Sequence, residues 1–123
     1  MNKRLTVYVA GAYSANNVMD VLHNMRKGIQ WSTTVLKAGM APFSPWLDYH
    51  YVLMDDTKTL SVNDFYEYSM EWLTRSDVMF VTPEFENSKG TLAEIQKAKE
   101  LDIPIFYTFD ELLKYFLSWK IKL

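Results

Sequence analysis

Cysteine is absent from the 123 residues. That single absence excludes disulfides, thiolate zinc sites and a cysteine nucleophile. Charge of one sign is also missing: 13 Lys and Arg stand against 15 Asp and Glu, for a net charge of −2. With no basic stripe along the chain, a nucleic-acid polymer has no electrostatic footprint to bind. No apolar run approaches the roughly 18 residues needed to span a bilayer, so no membrane partner is expected. The opening MNKRLTVYVAGAYS is charged and then only briefly apolar. It is too short for a signal peptide, and a cytoplasmic protein is the default expectation. Histidine is scarce, with two residues, His23 and His50. Neither has a second ligand at metal-binding spacing, so no metal and no cofactor are expected.

What is present is a core. Hydrophobic residues make up 49% of the chain, and a chain this long buries about two-thirds of its unfolded surface. One domain over residues 1–123 follows, without repeats, linkers or low-complexity tracts. Leu5 to Ala10 is a short β-rich run that stops at Gly11. Asn16 to Ala38 carries Val18, Val21, Leu22, Met25, Ile29, Thr33 and Leu36 near one helical stripe, with Gly28 as its weak point and Gly39 as a natural cap. Met40 to Trp46 reads as a strand pushed to the sheet edge by Pro42 and Pro45. Leu47 to Leu60 reads as a loop. Ser61 to Ser76 is helical, with Val62, Phe65, Met70, Trp72 and Leu73 available for packing. Val78 to Thr82 is a buried strand, Thr91 to Leu101 a helix, Ile103 to Tyr107 a strand and Asp110 to Trp119 a last amphipathic helix.

Continuous apolar strands alternating with helices predict an α/β fold. The expected form is a three-layer, flavodoxin-like (Rossmann-like) sandwich around a mainly parallel sheet of four to five strands. Ligands of such sheets sit beyond the carboxyl ends of the strands. That rule brings together Gly11–Asn17, Pro45–Tyr51 and Pro83–Glu94, the segments richest in Gly, Ser, Tyr and acids.

Within them, Thr91-Leu-Ala-Glu94 fits a capping box, which by itself accounts for both residues. A carboxylate in a first helical turn is also favoured by the helix dipole and stays ionised, as a nucleophile must. Ser88-Lys89-Gly90 suits an anion nest ahead of a helix, or an ordinary turn. Gly11-Ala12-Tyr13-Ser14 offers small residues past which a ligand can approach the backbone. Trp46, Tyr49 and Tyr51 could stack on a base or pack at a rim. Ser61 and Asp64 form a second box-like helix start.

Four segments, VYVAGAYS, PFSPWL, MEWLTRSDVMFV and NSKGTLAEIQKAKELDIPIFY, resemble in order and spacing the nucleoside 2-deoxyribosyltransferase-like superfamily. That group includes deoxyribosyltransferases, 2'-deoxynucleoside 5'-monophosphate N-glycosidases and many small bacterial and phage proteins. The resemblance covers nearly the whole chain. Its most specific piece is Ser88-x-Gly90-x-x-x-Glu94, following an Asp-led apolar strand. It implies that Glu94 attacks the anomeric carbon of the sugar, and that Tyr8 holds the Glu94 carboxylate. It implies that the loop of Gly11, Ala12, Tyr13 and Ser14 covers sugar or phosphate, and that Ser88 and Gly90 serve a 5'-phosphate; Lys89 between them adds a cation that suits a dianion. The partner is then a small nucleoside or nucleotide, and the chain pairs as a homodimer or higher homo-oligomer. One position departs: an Asp usual in the family is Ser69 here. Either the acid has moved, with Asp64, Glu67 and Tyr66 nearby in sequence, or Ser69 and water do its work, or catalysis is weak or lost. A non-catalytic nucleotide-binding module on the same fold, and an interaction protein with a Met- and aromatic-rich surface, are the competing readings.

Overall fold

The computed structural model describes residues 3–122. Four parallel strands form one sheet in the order β2-β1-β3-β4, with β1 at Thr6–Ala10, β2 at Ala41–Phe43, β3 at Val78–Val81 and β4 at Ile105–Phe106. Side chains alternate across the sheet with period two. Val7 and Val9 of β1 with Val78 and Phe80 of β3 face one layer, where Val35, Leu112 and Phe116 meet them. Tyr8, Ala10, Met79 and Val81 face the other, against Leu73, Ile95 and Ala98. Helices α1 (Val18–Lys37) and α5 (Phe109–Ile121) therefore supply the first layer, and α3 (Val62–Thr74) and α4 (Lys89–Glu100) the second. The three-layer α/β sandwich expected from the alternation is the architecture observed.

The chain leaves β1 for the β2 edge and then returns across β1 to β3. The reversal opens a crevice at the carboxyl ends of β1 and β3, the topological switch point where ligands of this architecture bind.

Several local expectations are corrected. Helix α1 runs unbroken through Gly28, because the residue that needs this glycine is far away in sequence. A Cβ at Gly28 would collide with the indole of Trp46. We expect Gly28→Val to cost at least about 1–3 kcal/mol through overpacking, measured as a lower denaturant midpoint; an unchanged midpoint would contradict this packing account. Leu47–Leu60 is not simply a loop. Pro45–Asp48 form a 3₁₀ turn that leads into the short helix α2, Tyr49–Met54. Asp55 then ties the next turn by accepting from the Leu60 amide at 2.9 Å and from the hydroxyls of Thr57 and Thr59. Strand β4 is two residues long instead of five. Val62 and Trp72, expected to pack, are exposed, although Trp72 stacks on Phe43 at 5.8 Å. Gly39 falls as expected, with φ of 103° just after the helix, and β2 lies at the sheet edge, but it covers Ala41–Phe43 instead of Met40 to Trp46, because Pro45 and Trp46 belong to the 3₁₀ turn.

Candidate active site

Helix α4 begins earlier than its sequence suggests. Ser88 is the cap, its hydroxyl oxygen accepting from the Thr91 amide at 3.3 Å and the Thr91 hydroxyl at 2.8 Å. The Thr91–Glu94 capping box does not form. Glu94 stands in the second turn instead, and the hydroxyl of Tyr8 on β1 donates to its Oε2. Only a sheet-to-helix contact across 86 positions could decide this, since the local pattern satisfies the capping rule equally well.

Position then changes the electrostatics. Within the first turn the helix dipole would have kept Glu94 ionised. One turn further in, burial dominates and pushes its carboxyl up to about 7, with the Tyr8 hydroxyl bond pulling the other way. The expectation of a fully ionised Glu94 at neutral pH is therefore corrected. The Tyr8 phenol is completely buried and held well above its ordinary range, first by burial and then by the Glu94 charge. Tyr8 is also stacked on Phe43 at 5.4 Å, which fixes the ring.

Glu94 opens into a cavity of about 780 Å³. The loops after β1, β2 and β3 meet there: Gly11, Tyr13 and Ser14 from the first, Pro45, Trp46 and Asp48 from the second, Asn87, Ser88, Lys89 and Gly90 from the third. Helix α3 adds Phe65, Tyr66, Ser69 and Met70. Ten of the twelve site residues expected from sequence thus come together: nine line the cavity and Tyr8 lies beneath it, bonded to Glu94. At Gly90 a Cβ would meet nothing nearer than Tyr66 at 3.9 Å, so the bare backbone borders open space. The amides of Lys89 and Gly90 are at the first two helical positions and have no intrahelical acceptor.

Two expected residues lie elsewhere. Asp64 does not border the cavity. Its carboxylate caps α3, accepting from the Ser61 amide at 2.7 Å and the Ser61 hydroxyl at 3.0 Å, and those bonds hold it below the usual carboxylate range. Glu67, further along α3, accepts from Asn63 on the exposed side. Ala12 turns away as well, its carbonyl accepting from Trp46 Nε1 at 3.0 Å beside a separate small cleft crossed by the Lys27–Glu84 ion pair.

Asp48 is the site residue that the sequence did not single out. It is only 8% exposed, borders the cavity, and accepts from the Tyr13 hydroxyl at 2.7 Å through Oδ1. Burial raises its carboxyl above the ordinary range, with the Tyr13 bond opposing. The only hint in sequence was its place in the segment after β2. Its partner lies 35 positions away. Among the described residues no three His, Asp or Glu side chains gather as a metal site, and no helix is long and apolar enough to cross a membrane.

The fold is similar to that of the 2-deoxyribosyltransferase from the psychrotolerant bacterium Bacillus psychrosaccharolyticus, with a TM-score of 0.56 over 81% of this chain and 69% of that one. The two sequences are 17% identical, so the likeness is one of fold. No curated protein matches the sequence. Residues 5–108 match the family described as "Domain of unknown function (DUF7768)". With that match spanning most of its length, the chain belongs to the DUF7768 family.

Proposed function

We propose that this cleft breaks or transfers the N-glycosidic bond of a nucleoside or nucleoside 5'-monophosphate, with Glu94 as nucleophile. The observation that carries the reading is the Tyr8–Glu94 pair, set at the switch point of the sheet and open to a cavity of about 780 Å³. That volume lies in the range of small-molecule sites. The similarity to a deoxyribosyltransferase fold supports the same chemistry. An N-glycosidic bond breaks through an oxocarbenium-like state, as an O-glycosidic bond does. A carboxylate fixed by a buried phenol stabilises that charge and traps the sugar as a glycosyl ester, from which water or another base takes it.

A phosphorylated substrate is favoured by the start of α4. Two free amides, the proton of the Ser88 hydroxyl and the exposed Lys89 converge on one side of the cavity. A dianion suits a helix N-terminus with a cation beside it. We expect Gly90→Val, which fills the open space beside those amides, to lower kcat/KM for a deoxynucleoside monophosphate about 10–100-fold, the worth of charge-assisted hydrogen bonds. The free deoxynucleoside should change by less than about threefold on the same physical grounds. Equal losses on both substrates would remove the phosphate from this place.

Release of free base from a panel of deoxynucleosides and their monophosphates, followed by chromatography, tests the reading. A second reading, a nucleotide-binding module, is favoured by Ser69, which puts a hydroxyl where the resemblance implies an acid. It expects a rise in melting temperature with nucleotide and no released base. Under either reading residues 1–123 act as one domain. The exposed apolar side chains of Val52 and Val62, which border the cavity, and of Leu53 and Met54 on α2 support pairing into a homodimer, which light scattering tests.

A further inference from the structure

Departure of a base leaves an electron pair on its glycosidic nitrogen, and that pair needs a proton. Two carboxyl side chains border the cavity, Glu94 and Asp48. If Glu94 bonds to the sugar, one remains. We propose that Asp48, held in place by Tyr13, gives the proton to the departing base and then takes one from the water that frees the sugar. This rests on the glycosidic reading above and assigns the half of the chemistry which that reading leaves open.

The geometry carries the assignment. The two carboxyls form a matched pair, each accepting one tyrosine hydroxyl: Tyr8 on Glu94 and Tyr13 on Asp48. Asp48 closes the 3₁₀ turn, so backbone as well as side chain fixes it. The loops of Tyr13 and Asp48 are cross-tied by Trp46 Nε1, which donates to the Ala12 carbonyl, and the first loop is held to α1 by Asn24 Nδ2, which donates to the Tyr13 carbonyl at 3.1 Å. Oδ1 of Asp48 is taken by Tyr13, whereas Oδ2 has no protein partner among the described residues. The group is therefore rigid on one oxygen and free on the other. Glu94, from the helix after β3, and Asp48, from the loop after β2, border the same cavity. Burial favours the protonated form of Asp48, as a donor requires. When the proton leaves, the Tyr13 hydroxyl is already aimed at the charge that forms.

The steps balance. A Glu94 oxygen bonds to the anomeric carbon as the C–N bond breaks, its electron pair going to the base nitrogen, which takes the Asp48 proton. Water then attacks the same carbon, the ester bond returns its electrons to Glu94, and the ionised Asp48 accepts the water proton. Both groups end as they began, with a free base and a free sugar as products.

The test varies the leaving group. An N7-methylated guanine carries a positive charge in the nucleotide and leaves neutral, without a proton. Rapid-quench release of base from 2'-deoxyguanosine 5'-monophosphate and its N7-methyl form is measured with wild type and Asp48→Asn. Asn keeps an oxygen for Tyr13. We expect Asp48→Asn to slow release from the ordinary nucleotide about 10²–10⁴-fold, the usual worth of a general acid. From the methylated form it should give a burst of one base per site at near the wild-type rate, and then slow turnover, because deglycosylation has lost its base. Tyr13→Phe should show a smaller loss with the same dependence on leaving group, and carries the comparison should Asp48→Asn fail to fold. If wild type is active and the variants slow both nucleotides by the same factor, or neither, Asp48 is not the proton donor while the Glu94 reading survives. If wild type releases base from neither nucleotide, the glycosidic reading itself fails and the assignment goes with it.

Discussion

Glu94→Gln should lose base release by roughly 10⁴–10⁶-fold, the scale seen when a covalent nucleophile is removed, and should at the same time melt higher than wild type at pH 8. The two effects have one origin. Burial raises the folded-state pKa of Glu94 to about 7 from an ordinary 4.5. Between those values the folded protein binds the proton and the unfolded chain does not. Stability is thus greatest below about 4.5 and falls as pH rises through about 7. Above that, the ionised Glu94 weighs against the fold by about 2 kcal/mol, allowing for some cavity water around it. Gln has the same shape, still accepts from Tyr8 and never ionises. The stabilisation of the variant over wild type should therefore shrink toward zero as pH falls to 5. A variant that loses stability at every pH and keeps turnover would mean that the Tyr8–Glu94 bond is a structural tie and nothing more.

The same titration sets the rate. The nucleophile is the ionised form, so for a leaving group that needs no proton, such as N7-methylated guanine, kcat/KM should rise with pH through about 7 and level off above it. At pH 5 the ionised fraction is about one hundredth, and the rate should be about 100-fold below its plateau. Unfolding does not produce that loss, because the raised Glu94 makes the fold more stable as pH falls over this window. Tyr8→Phe removes the hydroxyl that lowers the Glu94 pKa. Its limb should move to higher pH, which leaves the variant slowest relative to wild type below about pH 7 and brings the two together at higher pH. A flat profile from pH 5 to 8 in wild type would show that Glu94 does not need to ionise for the reaction.

What the sequence made legible, and what it hid, divides along the range of the interactions. Val7, Val9, Val78 and Phe80 lie in apolar runs whose neighbours are their own strand, so β1 and β3 could be placed from local pattern alone. Helix α1 followed from its stripe. Gly28 looked like a weak point because its reason, the indole of Trp46, is a tertiary contact. Helix α2 is too short for its apolar spacing to have a period. The start of α4 offered two hydroxyl residues three apart, and the Thr91 amide bonded to the Ser88 hydroxyl shows that Ser88 is the cap, which frees Glu94 to reach Tyr8. Asp48 is unremarked in its own segment and acquires meaning from a bond to Tyr13 in another loop. Asp64, near in sequence to the position of the missing acid, is the opposite case: its local capping partner claims it.

Everything in this account passes through a covalent bond between sugar and Glu94. Cleavage after Lys89 and Lys97 frees the peptide Gly90–Lys97, GTLAEIQK, in which Glu94 is the one carboxylate side chain. The decisive measurement is mass spectrometry of that peptide after acid quench of the protein turning over a deoxynucleoside monophosphate. A deoxyribosyl phosphate should be found on Glu94, appearing with the first base released and disappearing as substrate runs out. Released base with this peptide unmodified throughout, or with the sugar on any other residue, would contradict it.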